Sequence, residues 1–280
     1  MISKLVINSE VVVLIPHYNN LSGLYKSLTS ISEDIPIDVL IVDDGSYEKP
    51  LLSYLEGNFN KLNKIHLIML ENNVGIENAL NAGLHFIIND GKYKFIARLD
   101  AGDTCIPNRL FLQYSYLMKN PDIYLLGTWA FCTDKYGKVL YQFKHALDDD
   151  TIKRNMHFKN EFVHSSVIYK LEAVNTIGLY PTNYKYAEDY AYFLKFVKRF
   201  KVANLPIPLV NYEVSPDGLS IKNRRLQVKS RIAVILYNYD FSVLMVLGLL
   251  YNIILYVIPT TLLQAIKRLS NNYLKNAKVD

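Results

Sequence analysis

Three acidic groupings in this chain could do chemistry. Asp100 and Asp103 lie in LDAGD, directly after an apolar run. Carboxylates on a loop beside a buried strand can hold a hard divalent cation, with phosphate oxygens completing its shell. Such a cation would neutralise a diphosphate leaving group. Asp103 also stands where an aspartate caps a helix, ahead of Pro107, and that structural role is equally open. Glu188 and Asp189 are adjacent at the start of an apolar helical pattern, YAEDYAYFLKF. One of them could take a proton from an attacking hydroxyl, or both could simply complement the helix dipole. Asp43 and Asp44 open DDGS after another apolar run. A carboxylate there can accept hydrogen bonds from a ribose or a base edge, although Asp-Gly is also a strong turn signal.

Other residue types narrow the chemistry. His164, in EFVHSSVIYK, stands at the start of an expected strand and is either a ligand or a structural imidazole. Tyr184, Tyr186, Tyr190 and Tyr192 could stack on sugar faces or fill a core. The histidines form no H-x-x-x-H pair, which disfavours a zinc hydrolase. There is no G-x-S-x-G elbow, no G-x-G-x-x-G and no P-loop, so serine-hydrolase, Rossmann-cofactor and P-loop chemistry lack support. Two cysteines, Cys105 and Cys132, exclude a disulfide framework.

The elements that must carry these groups follow from the apolar pattern. Runs at 11–15, 39–42, 65–70 and 93–99 predict buried strands. Helical spacing falls at 22–31, 76–89 and from Pro107 to about Lys119. Strands alternating with helices predict βαβ units, and hence an α/β fold with a mostly parallel sheet. The polar clusters 16–19, 43–46, 72–75 and 100–103 each follow a strand. In such sheets the carboxyl ends of the strands form the ligand edge, so all four clusters converge there. Further strands are expected at 123–132, 138–143, 163–169 and 205–213, with helices at 148–158 and 188–199.

Charge divides the 280 residues unevenly. The net charge is +5, but residues 222–280 hold nine bases and two acids, while residues 1–221 hold 22 bases and 24 acids. The basic tail surrounds 26 uncharged residues, 241–266. Basic flanks on an apolar run point to a membrane surface through residues 232–268, and not to nucleic acid. One crossing would leave a basic flank outside, so an in-plane or re-entrant helical hairpin is expected; a core or dimer-forming helix pair is the soluble alternative. The apolar run at 11–16 is too short for a signal core, so the body is expected in the cytoplasm, at the inner face of the membrane.

Five segments, VVVLIPHYNN, IDVLIVDDGS, ENNVGIENALNAGL, FIARLDAGD and YAEDYAYFLK, occur in an order and spacing that resemble the bacterial family-2 glycosyltransferases. The resemblance covers about residues 10–200 and implies a GT-A fold and an inverting enzyme. It implies a catalytic domain over 1–221, with a nucleotide-binding half (1–105) and an acceptor half (106–221), followed by the tail 222–280. Pro16 and Asn19 match the loop against the nucleotide. Asp43 and Asp44 match the acids that meet uracil or ribose, and Asn73 and Gly75 match the N-x-G segment near the base. Arg98 and Asp100 match the strand entering the D-x-D motif, and Asp189 of the Glu188-Asp189 pair matches the catalytic base. His164 matches a histidine preceding the acceptor region and is a further candidate ligand. Where the family often has D-x-D-D, this chain has Asp100-Ala101-Gly102-Asp103. The resemblance therefore puts a divalent metal (Mn²⁺ or Mg²⁺) mainly on Asp103, with Asp100 on the ribose or acting through water. The implied partners are a nucleotide-sugar donor, most simply a UDP-sugar, and a glycan or polyprenyl-diphosphate-linked acceptor of surface-polysaccharide synthesis. A membrane-tethered scaffold of the same fold and a sugar-phosphate nucleotidyltransferase are the competing readings. The second would want a Gly-rich, basic phosphate loop after the first strand, which is missing.

Overall fold

A computed structural model describes residues 8–214, 223–238 and 242–259. The first half runs β1 (Val11–His17), α1 (Leu21–Ser30), β2 (Ile37–Asp43), α2 (Leu52–Asn58), β3 (Lys64–Met69), α3 (Ile76–Asp90), β4 (Phe95–Arg98), β5 (Thr104–Cys105) and α4 (Arg109–Lys119). Then come β6 (Ile123–Thr133), β7 (Val139–Phe143), α5 (Asp149–Asn155), a 3-10 turn (His164–Ser166), β8 (Ile168–Lys170) and α6 (Leu171–Ile177). The chain continues through α7 (Glu188–Arg199), β9 (Lys201–Glu213), α8 (Arg224–Tyr237) and α9 (Val243–Val257).

The described strands form one sheet in the order β3-β2-β1-β4-β8-β6-β9-β5, with β7 beside β6. Strands β3, β2, β1 and β4 are parallel, as the βαβ pattern requires. The second half is mixed: β8 runs antiparallel to β4 and β6, while β6 and β9 are parallel. Helices cover both faces of the first half, which is why β1 and β2 are buried along their whole length. Alternate residues of β1 feed two cores. Val12 and Leu14 pack with Leu80 and Leu84 of α3, whereas Val13 and Ile15 pack with Leu24 and Leu28 of α1. At Gly83 a Cβ would lie 2.4 Å from Leu14 Cδ1, so only glycine lets α3 approach β1 this closely.

Several boundaries differ from the sequence expectation. Segment 163–169 is not one strand. Ser166 donates from its N–H and its hydroxyl to the Val163 carbonyl, at 2.8 and 2.9 Å, and winds 164–166 into the 3-10 turn before β8. Helices α2 and α6 were not expected; both are seven residues long, too short for a strong periodic signal. In the uncharged run 241–266, the helix breaks near Pro259, as a hairpin would require. Helix α9 stops at Val257, two residues before Pro259. Its 15 residues span about 22 Å, short of the roughly 30 Å apolar layer of a bilayer. No described helix is long and apolar enough to cross a membrane; residues 260–280 of the expected tail segment lie outside the described residues.

Candidate functional site

The loops after β1, β2 and β3 are knitted together at the carboxyl edge of the sheet. Parallel register sets His17 beside Asp43. His17 Nε2 accepts from the Asn20 N–H (3.1 Å), so the ring proton sits on Nδ1 and is donated to Asp43 Oδ1 (2.7 Å). Asp43 Oδ2 accepts from the Ser46 N–H at 3.2 Å, so both oxygens of this fully buried carboxylate are engaged by the protein. The Asn19 N–H donates to Ser46 Oγ (2.8 Å), and Asn19 Oδ1 accepts from the Tyr47 N–H (2.9 Å). Asn19 itself has φ 49°, a left-handed conformation that asparagine tolerates. Pro16 is the penultimate residue of β1 and pairs with Val42.

Asp44 holds the N-x-G segment. Its two oxygens accept from the N–H groups of Val74 (2.8 Å) and Gly75 (3.0 Å). Burial pushes the Asp44 carboxyl up, against the pull of these two donors. Gly45 makes the approach possible: φ is +71°, and a Cβ there would lie 2.4 Å from the Asn72 carbonyl carbon. Asn73, in this segment, is exposed. Asp43 and Asp44 follow β2 and spend their oxygens on holding the loops, while Asn72 and Asn73 are exposed polar side chains of the loop after β3.

Arg98, at the end of β4, is fully buried and organises the second cluster. Its guanidinium donates to the Leu14 carbonyl, to Asp100 Oδ1 and, from Nε, to His164 Nε2 at 3.2 Å. Because Nε2 accepts, the His164 proton sits on Nδ1, 3.8 Å from Asp100 Oδ2. Burial and the adjacent guanidinium push His164 down to about 3, so the ring is neutral. Burial would raise Asp100, but the Arg98 guanidinium beside it and hydrogen bonding outweigh it and hold the carboxyl below its usual range. Asp103 differs. Oδ1 accepts from the Glu213 N–H at 2.9 Å and Oδ2 from the Ser165 hydroxyl. Burial and the Asp100 charge push it up to about 7.

Two of the candidate metal ligands, Asp103 and Asp100, have different surroundings. Asp103 is almost wholly buried, both its oxygens have protein donors, and the His164 Nε2 lone pair is taken by Arg98. Among the described residues no three His, Cys, Asp or Glu side chains gather as a metal cluster. The Asp100 carboxylate is held ionised, and its side chain keeps 29% exposure. One hard oxygen ligand beside substrate phosphates suits Mg²⁺ or Mn²⁺, which bind through one or two carboxylates and keep the rest of their shell for phosphate and water. Asp100 fits that donor set, whereas Asp103 and His164 are engaged by protein hydrogen bonds.

The third cluster opens α7. Asp189 Oδ2 accepts from Asn160 Nδ2 (3.0 Å), and Oδ1 accepts from the Tyr190 N–H (2.6 Å). Glu188 Oε2, by contrast, is buried with no hydrogen-bond partner. Burial, then the neighbouring Asp189, pushes Glu188 up to about 8, so it holds a proton at neutral pH. Burial raises Asp189 too, opposed by the Tyr190 N–H, the Arg231 guanidinium and Asn160. The environments differ: Asp189 has two donors and the Arg231 cation, whereas Glu188 has a backbone donor alone and leaves Oε2 unpartnered. The Asp100 charge raises both, so the second cluster lies close enough to the third to act on it electrostatically. Of the four tyrosines that could stack on sugar or fill a core, Tyr184, Tyr190 and Tyr192 are buried in the core.

Three residues here were not singled out by their sequence pattern. Ser165 accepts from the Asp100 N–H (3.1 Å) while donating to Asp103. Asn160 orients Asp189, and Arg231 faces it from α8. Arg231 counted only as tail charge, and Ser165 only as a neighbour of His164.

A mixed α/β sheet with an acid-lined crevice at its carboxyl edge is the architecture of nucleotide-sugar transferases. Residues 12–173 match Glycosyl transferase family 2, and the chain belongs to that family, whose fold is GT-A. It is a nucleotide-sugar-dependent glycosyltransferase related to enzymes of bacterial polysaccharide biosynthesis. The amylovoran biosynthesis glycosyltransferase AmsE of Erwinia amylovora is 29% identical over 228 residues, covering 79% of this chain and 82% of that one. The UDP-Gal:alpha-D-GlcNAc-diphosphoundecaprenol beta-1,3-galactosyltransferase of Escherichia coli is 27% identical over 226 residues, 79% of this chain and 76% of that one. Among solved structures, S. aureus TarS 1-349 in complex with UDP-GlcNAc superposes with a TM-score of 0.64 at 19% identity, over 86% of this chain and 72% of that one. The mannosyltransferase PcManGT from Pyrobaculum calidifontis, in complex with GDP-Man and Mn²⁺, gives 0.60 at 15% identity, over 82% and 64%.

Proposed function

We propose that this chain is an inverting transferase that moves a sugar from a UDP-sugar to a hydroxyl of a glycan carried on a polyprenyl diphosphate, in surface-polysaccharide synthesis. The observation that carries the chemistry is the division of labour at α7: Asp189 is fed by Asn160 and the Tyr190 N–H, while Glu188 stays protonated. Burial raises both acids, and the one served by donors and a cation is the better stabilised as an anion, so it is assigned as the base. Asp189 takes the proton of the acceptor hydroxyl as that oxygen attacks the anomeric carbon. The bond from that carbon to the diphosphate breaks on the opposite face, its electron pair leaves with the nucleotide, and the configuration inverts. A divalent cation on Asp100 would supply positive charge to the leaving diphosphate. Pro16, Asn19, Asn73 and Gly75 line the nucleotide side, with Asp43 and Asp44 holding their loops in place.

The donor and acceptor classes draw support from the Escherichia coli relative, whose name specifies UDP-Gal and a diphosphoundecaprenol acceptor. Family membership sets aside the nucleotidyltransferase reading, and the donor-fed Asp189 speaks against an inert scaffold. The test is release of nucleoside diphosphate from UDP-Gal, UDP-GlcNAc, UDP-Glc and GDP-Man, with and without Mn²⁺ and a diphosphoundecaprenol-linked sugar. Acceptor-dependent release from a UDP-sugar is expected. Release from GDP-Man alone, or from no donor, would overturn the reading.

A further inference from the structure

Helix α9 is built inside out. Its buried stripe is Met245, Gly248 and Asn252, spaced to fall on one face. The stripe seats on the body: a Cβ on Gly248 would lie 2.1 Å from the His157 carbonyl oxygen, and Asn252 Nδ2 donates to the Phe158 carbonyl at 3.1 Å. Asn252 Oδ1 accepts from Arg231 at 3.3 Å. Helix α8 completes the seat. Arg224 donates to the carbonyls of Leu255 (2.6 Å) and Ile258 (3.4 Å) and so caps the end of α9, and Ser230 donates to the Lys185 carbonyl at 2.7 Å. The one amide side chain of α9 thus points inward, and ten of its 15 residues are large apolar side chains that stand exposed. A helix facing water has the opposite polarity. An outward face of this extent marks an interaction surface.

We infer that the outward face of α9 seats in the interfacial layer of an anionic lipid membrane. Three observations select lipid as the occupant. The helix is too short to span and lies flat against the body, the geometry of an interfacial element. The exposed cations of the neighbouring helix α8, Arg225 and Lys229, have no acid among the residues of α8 or α9 to offset them. The chain following Pro259 adds four bases against one acid. Anionic headgroups complement this charge, at about 1 kcal/mol per cation near the surface, whereas a second copy would set like charges together. The seat also joins the reaction centre, because Arg231 links Asn252 of α9 to the field at Asp189. The inference goes beyond the transfer reading and does not rest on it, since membrane binding is read without substrate.

The test is flotation of the full chain with phosphatidylglycerol-containing vesicles and with pure phosphatidylcholine vesicles, alongside its solution mass without lipid. The wild-type chain should float with the anionic vesicles and release at high salt. L247E/I254E should lower the bound fraction by at least about tenfold, because each buried aliphatic side chain contributes on the order of tenfold or more. Its circular dichroism and donor hydrolysis should be unchanged. R225E/K229E should lose the preference for anionic lipid. The inference is overturned if the wild type floats with neither vesicle, or if L247E/I254E binds as the wild type does. A lipid-free dimer that L247E/I254E turns into a monomer also overturns it, by assigning the face to a second copy.

Discussion

Asn160 Nδ2 donates to Asp189 Oδ2 at 3.0 Å, so a side chain from the loop after α5 holds the carboxylate that opens α7. An amide donor favours the charged form of its acceptor and fixes its direction. Asn160→Ala should therefore lower kcat for sugar transfer by about tenfold, equivalent to about 1.4 kcal/mol, with the donor KM unchanged. Steady-state kinetics at saturating acceptor checks this. A rise in donor KM at constant kcat would place Asn160 on the nucleotide instead.

Glu188 gives a pH prediction in stability. Its carboxyl moves from 4.5 up to about 8 on folding, mainly through burial. The folded state then binds its proton more tightly than the unfolded state, so stability is full below about pH 4.5 and is lost as pH rises toward 8. Glu188→Gln removes the titration. Thermal unfolding across this range should show a weaker decline for the variant than for the wild type. Parallel curves would contradict a protonated Glu188.

The Asp100 and Asp103 geometries separate two variants. Asp100→Asn should raise the Mn²⁺ concentration for half-maximal activity by on the order of tenfold or more. Asp103→Asn should raise it less and should act mainly on stability, because Asp103 holds Ser165 and the Glu213 N–H. Titration of Mn²⁺ into chelator-treated enzyme reads the difference. Activity insensitive to chelation would remove the cation from the account.

Arg98 is a buried hub whose loss leaves Asp100 and the Leu14 carbonyl without their donor. Breaking such a pair from one side costs about 3–5 kcal/mol. Urea unfolding of Arg98→Met should show a loss of that size.

Much of this was legible from residue order. The short β-branched runs fixed the parallel half, and the polar loops after them marked the ligand edge, because both signals are local. The mixed half was less visible. β8 is a three-residue strand whose direction depends on partners distant in sequence, and Ser166 turns the preceding residues away from extended structure. Acid positions could be read, but not the division of roles among them. Whether Asp103 or Asp100 is open depends on the Glu213 N–H, 110 residues away, and on Ser165. The tail's hydropathy was plain, while its inward Asn252 and the reach of Arg231 to Asp189 emerge only from packing.

The central claim is that Asp189 is the base, and Asp189→Asn tests it most directly. The substitution keeps size and removes the proton acceptor. Measured at saturating donor and acceptor, transfer should fall by about 10²–10⁴-fold, while the binding of the nucleoside diphosphate stays at the wild-type level. Transfer within a few-fold of wild type would contradict the account.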